Sequence, residues 1–246
     1  MNTDFTLEEL SMNAWPSIQT SFYDGWIIRM ANGYTKRANS INPIYPSKLK
    51  MNEKISCCEK IFRAHKLPVI YKLVDCAEHR MLDKQLERLG YEKIDSTSVQ
   101  VCNTLKPVAG KITGIKISDG FTDSWIQALL NCNKIRQSQI ETIMLMLNNI
   151  LAKKIVVYKK EEGSIIGCGY GVVEKSWVGI FDIIVREDMR GRGYGEEIVR
   201  SLLASAKNAG ALRAYLQVVD TNDAAKNLYK KLGFREKYQY WYRKKA

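Results

Sequence analysis

Residues Phe181 to Gly195, FDIIVREDMRGRGYG, decide how this chain is read. Ile183, Ile184 and Val185 make a β-branched run of the kind found in a covered strand, and the run ends in Arg190-Gly191-Arg192-Gly193-Tyr194-Gly195. Glycines allow positive φ and close backbone approach. The first N–H groups of a following helix have no intrahelical partner, and two arginines add charge-assisted hydrogen bonds. Such a strand, turn and helix start suits a phosphate. Alone it specifies pyrophosphate and nothing about the chemistry.

The second signal lies downstream. A helix is predicted from Tyr194 to Ala209, with Ile198, Val199, Leu202, Leu203 and Ala206 on one stripe and Gly210 as its stop. Glu196 and Glu197 in its first turn read as exposed charges favoured by the helix dipole. An apolar strand follows from Leu212 to Val219, then Asp220-Thr221-Asn222 and a helix carrying Tyr229 ahead of Gly233-Phe234. From about Gly120 onward the chain resembles the GNAT superfamily of N-acetyltransferases. The resemblance rests on Arg190, Gly193 and Gly195 in the Arg/Gln-x-x-Gly-x-Gly/Ala loop, and on Asn222 and Tyr229 in the next helix unit.

That resemblance implies an α/β mixed-sheet GNAT fold and transfer of an acetyl group from acetyl-CoA to a primary amine of a small molecule, amino acid or peptide, with no metal. It places the Ile184 and Val185 backbone against pantetheine, Arg190, Gly191, Arg192, Gly193, Tyr194 and Gly195 against pyrophosphate, and Asn222 against the pantetheine arm. Tyr229 is implied as the acid that protonates the departing thiolate, a role suited to a phenol, which stays protonated at neutral pH. Many relatives carry a glutamate on the strand before the loop. Here that position is Gly179, so Asp182, the one carboxylate inside the strand, becomes the candidate base, with a water chain as the alternative. Two other classes stay open. One is a GNAT that modifies a macromolecule such as a ribosomal protein or charged tRNA, and the other is a CoA-binding scaffold.

The chain also repeats itself. Tyr71 to Asp75 followed by Leu82 to Lys93 parallels Tyr215 to Asp220 followed by Lys226 to Lys237, with Leu89-Gly90-Tyr91 answering Leu232-Gly233-Phe234. This predicts two GNAT-like units in tandem, residues 1–108 and 109–246, divided near Lys106-Pro107-Val108-Ala109-Gly110-Lys111. The first unit is degenerate: no glycine lies between Ser40 and Leu67, and Leu86 stands where Tyr229 stands in the second. Within it, Asp24 to Ser40 reads as a β-hairpin around Asn32-Gly33, with Trp26, Ile28 and Met30 on a core face. That segment resembles the N-terminal part of tandem GNAT-like bacterial proteins. Arg29, Arg37 and Asn39 are candidates to line the acceptor cleft or, alternatively, to form an interdomain network.

Toward the middle, Thr122 to Leu151 reads as two helices broken near Asn131 to Asn133, and strands are predicted over 155–160, 165–173 and 177–185. Gly167, Gly169 and Gly171 leave one face of the middle strand bare, for close packing or for a ligand.

Composition sets the remaining bounds. With 46% hydrophobic and 26% charged residues over 246 positions, the chain can bury a real core. The net charge of +12 is uneven: residues 1–110 carry 15 basic against 12 acidic groups, and 111–246 carry 23 against 14. A polyanionic ligand accounts for part of the excess and solvated lysines for more, so a nucleic-acid partner is a secondary expectation. No apolar run is long enough for a membrane, and the first residues lack a signal-peptide pattern, so a cytoplasmic monomer or homodimer is expected. Six cysteines without repeated spacing argue against a disulfide framework. Cys76 and His79 have ligand-like spacing, but nothing completes a metal site.

Overall fold

A computed structural model describes residues 5–106, 112–133 and 135–246. The chain begins with helix α1 (Thr6–Ala14), strands β1 (Gln19–Tyr23), β2 (Trp26–Met30) and β3 (Ile41–Pro43), then α2 (Met51–Ala64), β4 (Val69–Val74), α3 (Ala77–Arg88) and β5 (Glu92–Cys102). The second half contains β6 (Ile115–Ser118), α4 (Asp123–Cys132), α5 (Ile140–Asn148), β7 (Lys153–Glu161), β8 (Ser164–Glu174) and β9 (Trp177–Val185). It closes with α6 (Tyr194–Asn208), β10 (Arg213–Val219), α7 (Asp223–Lys231) and β11 (Arg235–Lys245). All the strands join one mixed sheet in the order β1-β2-β3-β4-β11-β5-β10-β9-β8-β7-β6.

One succession of elements occurs twice. A tight hairpin, a third strand, a helix, a parallel strand, a helix and a long last strand run from β1 to β5 and again from β7 to β11. The hairpin turns match in conformation: Asp24 and Gly25 have φ of 43° and 81°, and Glu162 and Gly163 have 48° and 79°. Helix ends match too. Gly90 and Gly233 sit at φ 80° and 91°, and the next amides, of Tyr91 and Phe234, donate to Leu86 and Tyr229 carbonyls at 3.0 Å each.

The last strands are exchanged between the two runs. β4 pairs with β11 and β10 pairs with β5, while β5 and β11 pair with each other, all antiparallel. Arg243 on β11 locks the exchange. Its side chain is 6% exposed, binds Asp83 through Nε and Nη2 at 2.8 and 3.0 Å, reaches Glu87 at 3.1 Å and donates to the Tyr91 carbonyl at 3.1 Å.

Alternating apolar residues give the sheet two buried faces. Ile70 and Val74 of β4, Val99 and Val101 of β5, Tyr215 of β10 and Tyr240 and Tyr242 of β11 form one core with α1, α4 and α5. On the opposite face, α2 and α3 cover Val69, Tyr71, Leu73 and Trp241, and α6 and α7 cover Ile180, Ala214, Leu216 and Val218. α1 is pinned to that first face by a buried pair, Glu8 with Lys72 at 2.5 Å, and by the Tyr238 hydroxyl donating to Glu8 at 2.7 Å. No helix among the described residues is long and apolar enough to cross a membrane.

Most predicted elements stand within one or two residues of their expected limits, and α4 and α5 are separated near Asn133 as expected. The 24–40 hairpin needs correction. Asn32 and Gly33 do form a turn, with φ of 49° and 71°, but the chain then enters a short 3-10 turn at Lys36–Ala38 instead of returning as a strand. Asn39 is the cause. Its Oδ1 accepts from the Ala31 and Gly33 amides at 2.7 and 2.9 Å, and its Nδ2 donates to the Thr35 carbonyl at 2.8 Å, replacing the bonds a ladder would have made. The actual hairpin turn is Asp24-Gly25, and β2 pairs with β3 after the ten-residue detour 31–40. The expected boundary at 106–111 lies, apart from Lys106, outside the described residues.

Replacing Arg243 with methionine should strand Asp83 and the Tyr91 carbonyl in a partly buried site. A loss of about 3 kcal/mol is expected in urea denaturation, and a loss under 1 kcal/mol would show that the exchange does not depend on this side chain.

Candidate active site

β9 and β10 run parallel and in register from Trp177/Arg213 to Ile180/Leu216, and there the pairing ends. β9 continues to Val185 along β8, whereas β10 continues along β5. From Phe181 to Val185, β9 therefore has no partner on its β10 side. The gap leads to the start of α6, whose N-cap Gly193 has φ 86° and no capping side chain. Gly191 has φ 77°. A Cβ at either glycine would meet open space, so only backbone geometry demands glycine there. Uncapped helix amides, Arg190 and Arg192 beside them and an unpaired strand edge form a cradle suited to a phosphate attached to an extended polar chain. Arg190 Nε already donates to the Val185 carbonyl at 3.2 Å, which ties the loop to the end of the strand.

Asp182 lies where β9 breaks register with β8, between the pairs Phe181–Tyr170 and Ile184–Cys168. Its φ is 48°, a left-handed conformation that costs a non-glycine residue about 1 kcal/mol or more. Burial pushes its carboxyl up to about 6, and the Arg37 guanidinium pulls the other way. Near neutral pH this carboxylate is ionised and basic enough to take a proton.

Tyr229, on α7, is 9% exposed and packs edge-on against Phe234 with ring centres 5.9 Å apart. Burial lifts its hydroxyl to about 12, so it stays protonated. Among the described residues that hydroxyl has no hydrogen-bond partner, and it is free to donate to a ligand. Asn222 is the N-cap of α7, and its Oδ1 accepts from the Ala225 amide at 3.1 Å. Its NH2 is left for a ligand. Glu196 pairs with Arg200 at 2.7 Å and Glu197 with the buried Lys159 at 2.7 Å, so both have partners, unlike the solvated charges expected.

A glutamate at Gly179 would force the surrounding aromatic rings to move. A Cβ there would lie 2.5 Å from the Tyr215 ring and hydroxyl and 2.6 Å from Phe181. The glycines of β8 serve packing: a Cβ at Gly167 or Gly169 would press on Ile198 of α6 and on β9 atoms at 2.5 to 3.2 Å. Tyr215 and the bulge at Asp182 were the parts of the site that motif reasoning missed. The only trace in the sequence is a glycine in β9 opposite a tyrosine in β10.

The first run of elements has the corresponding gap, and it is closed. β3 and β4 pair only at Ile41 and Tyr71. His79 spans the opening beyond, accepting from the Val74 amide through Nδ1 at 2.9 Å and donating through Nε2 to the Pro43 carbonyl at 2.6 Å. Phe5 stacks on its ring at 5.6 Å. Burial holds the imidazole below its ordinary pKa, and the two bonds assign the neutral tautomer with its proton on Nε2. His79 stands eleven residues before Gly90, as Asn222 stands eleven before Gly233.

The three N-terminal candidates separate. Arg29 is buried and donates to the carbonyls of Arg37, Met12 and Trp15, so it organises backbone. Asn39 does the same within its loop. Arg37 is the one that approaches the strand carrying Asp182: its guanidinium lies 5.3 Å from the Trp15 ring centre and 6.0 Å from that of Phe181, and its charge acts on Asp182.

Comparison with known proteins extends the likeness to the whole chain. The family described as "Probable histone acetyltransferase Rv0428c C-terminal" matches residues 5–243. The "Uncharacterized N-acetyltransferase YobR" of Bacillus subtilis is 26% identical over 241 residues, covering 96% of each chain. A mouse thialysine N-epsilon-acetyltransferase is 33% identical over 94 residues, which are 35% of this chain and 55% of that protein. Among solved structures, a GCN5-related N-acetyltransferase from Kribbella flavida superposes with a TM-score of 0.70 at 12% identity, over 97% of this chain and 93% of that one. A tandem GNAT protein from the clavulanic acid biosynthesis pathway gives 0.65 at 11% identity, over 84% and 74%.

The raised pKa of Asp182 carries a stability signature. Its folded pKa of about 6 exceeds the ordinary 3.8, so the folded state holds the proton more tightly. The stability this brings is complete below about pH 4 and is lost as pH rises through 6. Asp182→Asn removes that dependence, and asparagine suits the left-handed backbone. The melting temperature of the variant should therefore rise relative to wild type between pH 4 and 7. Parallel curves would show that burial does not tune this carboxyl.

Proposed function

Because this chain belongs to the GNAT superfamily of N-acetyltransferases and is an acyltransferase, we propose that it transfers an acetyl group from acetyl-CoA to a primary amine by direct attack. The observation that carries this reading is the parting of β9 and β10 beside the uncapped start of α6; the raised carboxyl of Asp182 and the protonated hydroxyl of Tyr229 support their assignment as base and acid. The donor set fits: backbone amides and two arginines for a pyrophosphate, and an unpaired strand edge at Ile184 and Val185 for pantetheine amides. The NH2 of Asn222 adds one further donor.

Acetyl-CoA supplies a thioester whose C–S bond breaks as the amine nitrogen bonds to the acetyl carbon. The residues handle two protons. An amine attacks only when neutral, and Asp182 accepts the nitrogen's proton, directly or through one water. Tyr229 gives its hydroxyl proton to the departing sulfur, and solvent restores both groups. Strand amides at the gap edge orient the donor, which lowers the entropic part of the barrier.

A small amine acceptor is the leading assignment, supported by the mouse relative named for thialysine. A peptide lysine is the second reading, favoured by the family description that names a histone acetyltransferase. A silent CoA-binding scaffold is less favoured because it would have no use for the free Tyr229 hydroxyl. We further propose that the chain comprises two GNAT-like units, 1–108 and 109–246, with only the second active. His79 and Leu86 occupy positions that Asn222 and Tyr229 hold in the second, which supports that division. A cytoplasmic setting goes with this proposal.

Thiol release from acetyl-CoA against a panel of amines, amino acids and lysine peptides tests the reading. Tyr229→Phe should lower kcat by about 10²- to 10³-fold while leaving acetyl-CoA affinity nearly intact; unchanged turnover would remove the acid assignment. In wild type, kcat/KM should rise with pH through an inflection near 6, because Asp182 must be ionised to act. That inflection should vanish in Asp182→Asn. Its persistence there would assign the base elsewhere.

A further inference from the structure

We propose that the amine acceptor carries a carboxylate, bound by Arg37 of the N-terminal half and Gln217 of β10 in the cavity that both residues line. This rests on the transferase reading above and narrows its substrate class.

The cavity has a volume of about 470 Å³ and is walled by the 33–39 loop and by residues of β5, β10 and β11, including Thr97, Gln217, Tyr240 and Tyr242. Two of its donors lack acceptors. Arg37 is held by aromatic faces, with Trp15 at 5.3 Å and Phe181 at 6.0 Å from its guanidinium carbon, but among the described residues its side chain has neither an ion pair nor a hydrogen bond. Gln217 uses its Oε1 to accept from the Tyr240 hydroxyl at 3.3 Å, which turns its Nε2 away, and that Nε2 is buried without a partner. The other charges at the cavity are accounted for. Lys36 is paired with Asp95 at 2.6 Å, and Lys244 is exposed at the rim.

An unpaired guanidinium fork lining the cavity and an unpaired amide N–H buried in its wall, which a small side-chain rotation would uncover, call for a planar acceptor with two oxygens. A buried donor without a partner costs free energy, so the pair strengthens binding only of ligands that satisfy it. Asp182 sets the charge limit. It lies within the electrostatic reach of Arg37, so its own negative charge opposes a second anion there, a dianion more than a monoanion. The anchor and the base are thus neighbours, and a ligand held by its carboxylate at Arg37 is kept close to the group that deprotonates its amine.

Matched pairs that differ only in the carboxylate test this: L-lysine against 1,5-diaminopentane, L-ornithine against 1,4-diaminobutane, and β-alanine against ethylamine. Calorimetric binding and thiol release are measured for wild type, Arg37→Gln and Gln217→Leu, each checked for unchanged melting and acetyl-CoA affinity. At least one carboxylated member should be preferred by about 10- to 100-fold, and the ratio should fall toward one in both variants. Equal use of both members of every pair would overturn the subsite and leave the transferase standing. Binding of a carboxylated amine that is lost in Arg37→Gln, without acetylation of any amine, would uphold the subsite and sink the transferase. Loss of acetyl-CoA affinity in Arg37→Gln would also overturn the proposal, by assigning the guanidinium to the donor.

Discussion

The antiparallel pairing of β5 with β11 is the constraint on which the rest of the molecule depends. Each strand ends one run of elements and is laid into the other, so β4 and β10 are completed by strands from the opposite half. A sheet edge left without these partners would expose a row of unpaired backbone groups along β4 or β10. In this arrangement neither half completes its sheet with its own last strand. The buried aromatic face that results, with Tyr215, Tyr240 and Tyr242 in one core, is also the surface that α1 covers.

That shared face explains how an N-terminal residue comes to stand at the site. α1 is held down by Glu8 and Lys72, the carbonyls at its end receive Arg29, and Trp15 just beyond it donates from its indole to the Thr35 hydroxyl at 3.0 Å. These contacts fix the 31–40 loop against β9, and the loop carries Arg37 to the Phe181 ring beside Asp182. Arg29 and Asn39 are buried donors spent on backbone. Their work is to make the position of Arg37 reproducible, which is what an electrostatic partner for a titrating carboxyl requires.

The two runs of elements share a scaffold and differ at the gap between their parallel strands. In the first, His79 bonds to both strands and fills the opening, with Phe5 stacked over it. In the second, the equivalent helix start offers Asn222, whose oxygen caps its own helix and leaves the opening free. A left-handed residue at the register break of β9 then aims a carboxylate where the first run has only a short three-residue strand. Strain is stored where the chemistry is proposed, and the opposite gap, sealed by a neutral imidazole, contributes rigidity.

The local sequence was enough to read the helices, most strands and the glycine turn ahead of α6, and to single out Tyr229 as an acid candidate. Hydrophobic period and glycine placement act within a few residues and need no distant partner. The internal repeat was legible as well, because Gly90 and Gly233 mark the same helix stop. Other features were decided only by the tertiary structure. The strand exchange, the closure of the first gap by His79, the Tyr215 ring that crowds the Gly179 position, and the charge of Arg37 acting on Asp182 across 145 positions all join residues far apart in the chain. Asn39 shows the limit most plainly. Its neighbours read as a hairpin, yet one side-chain amide satisfied the loop's backbone better than a second strand would have, and that competition is settled by three-dimensional hydrogen bonding.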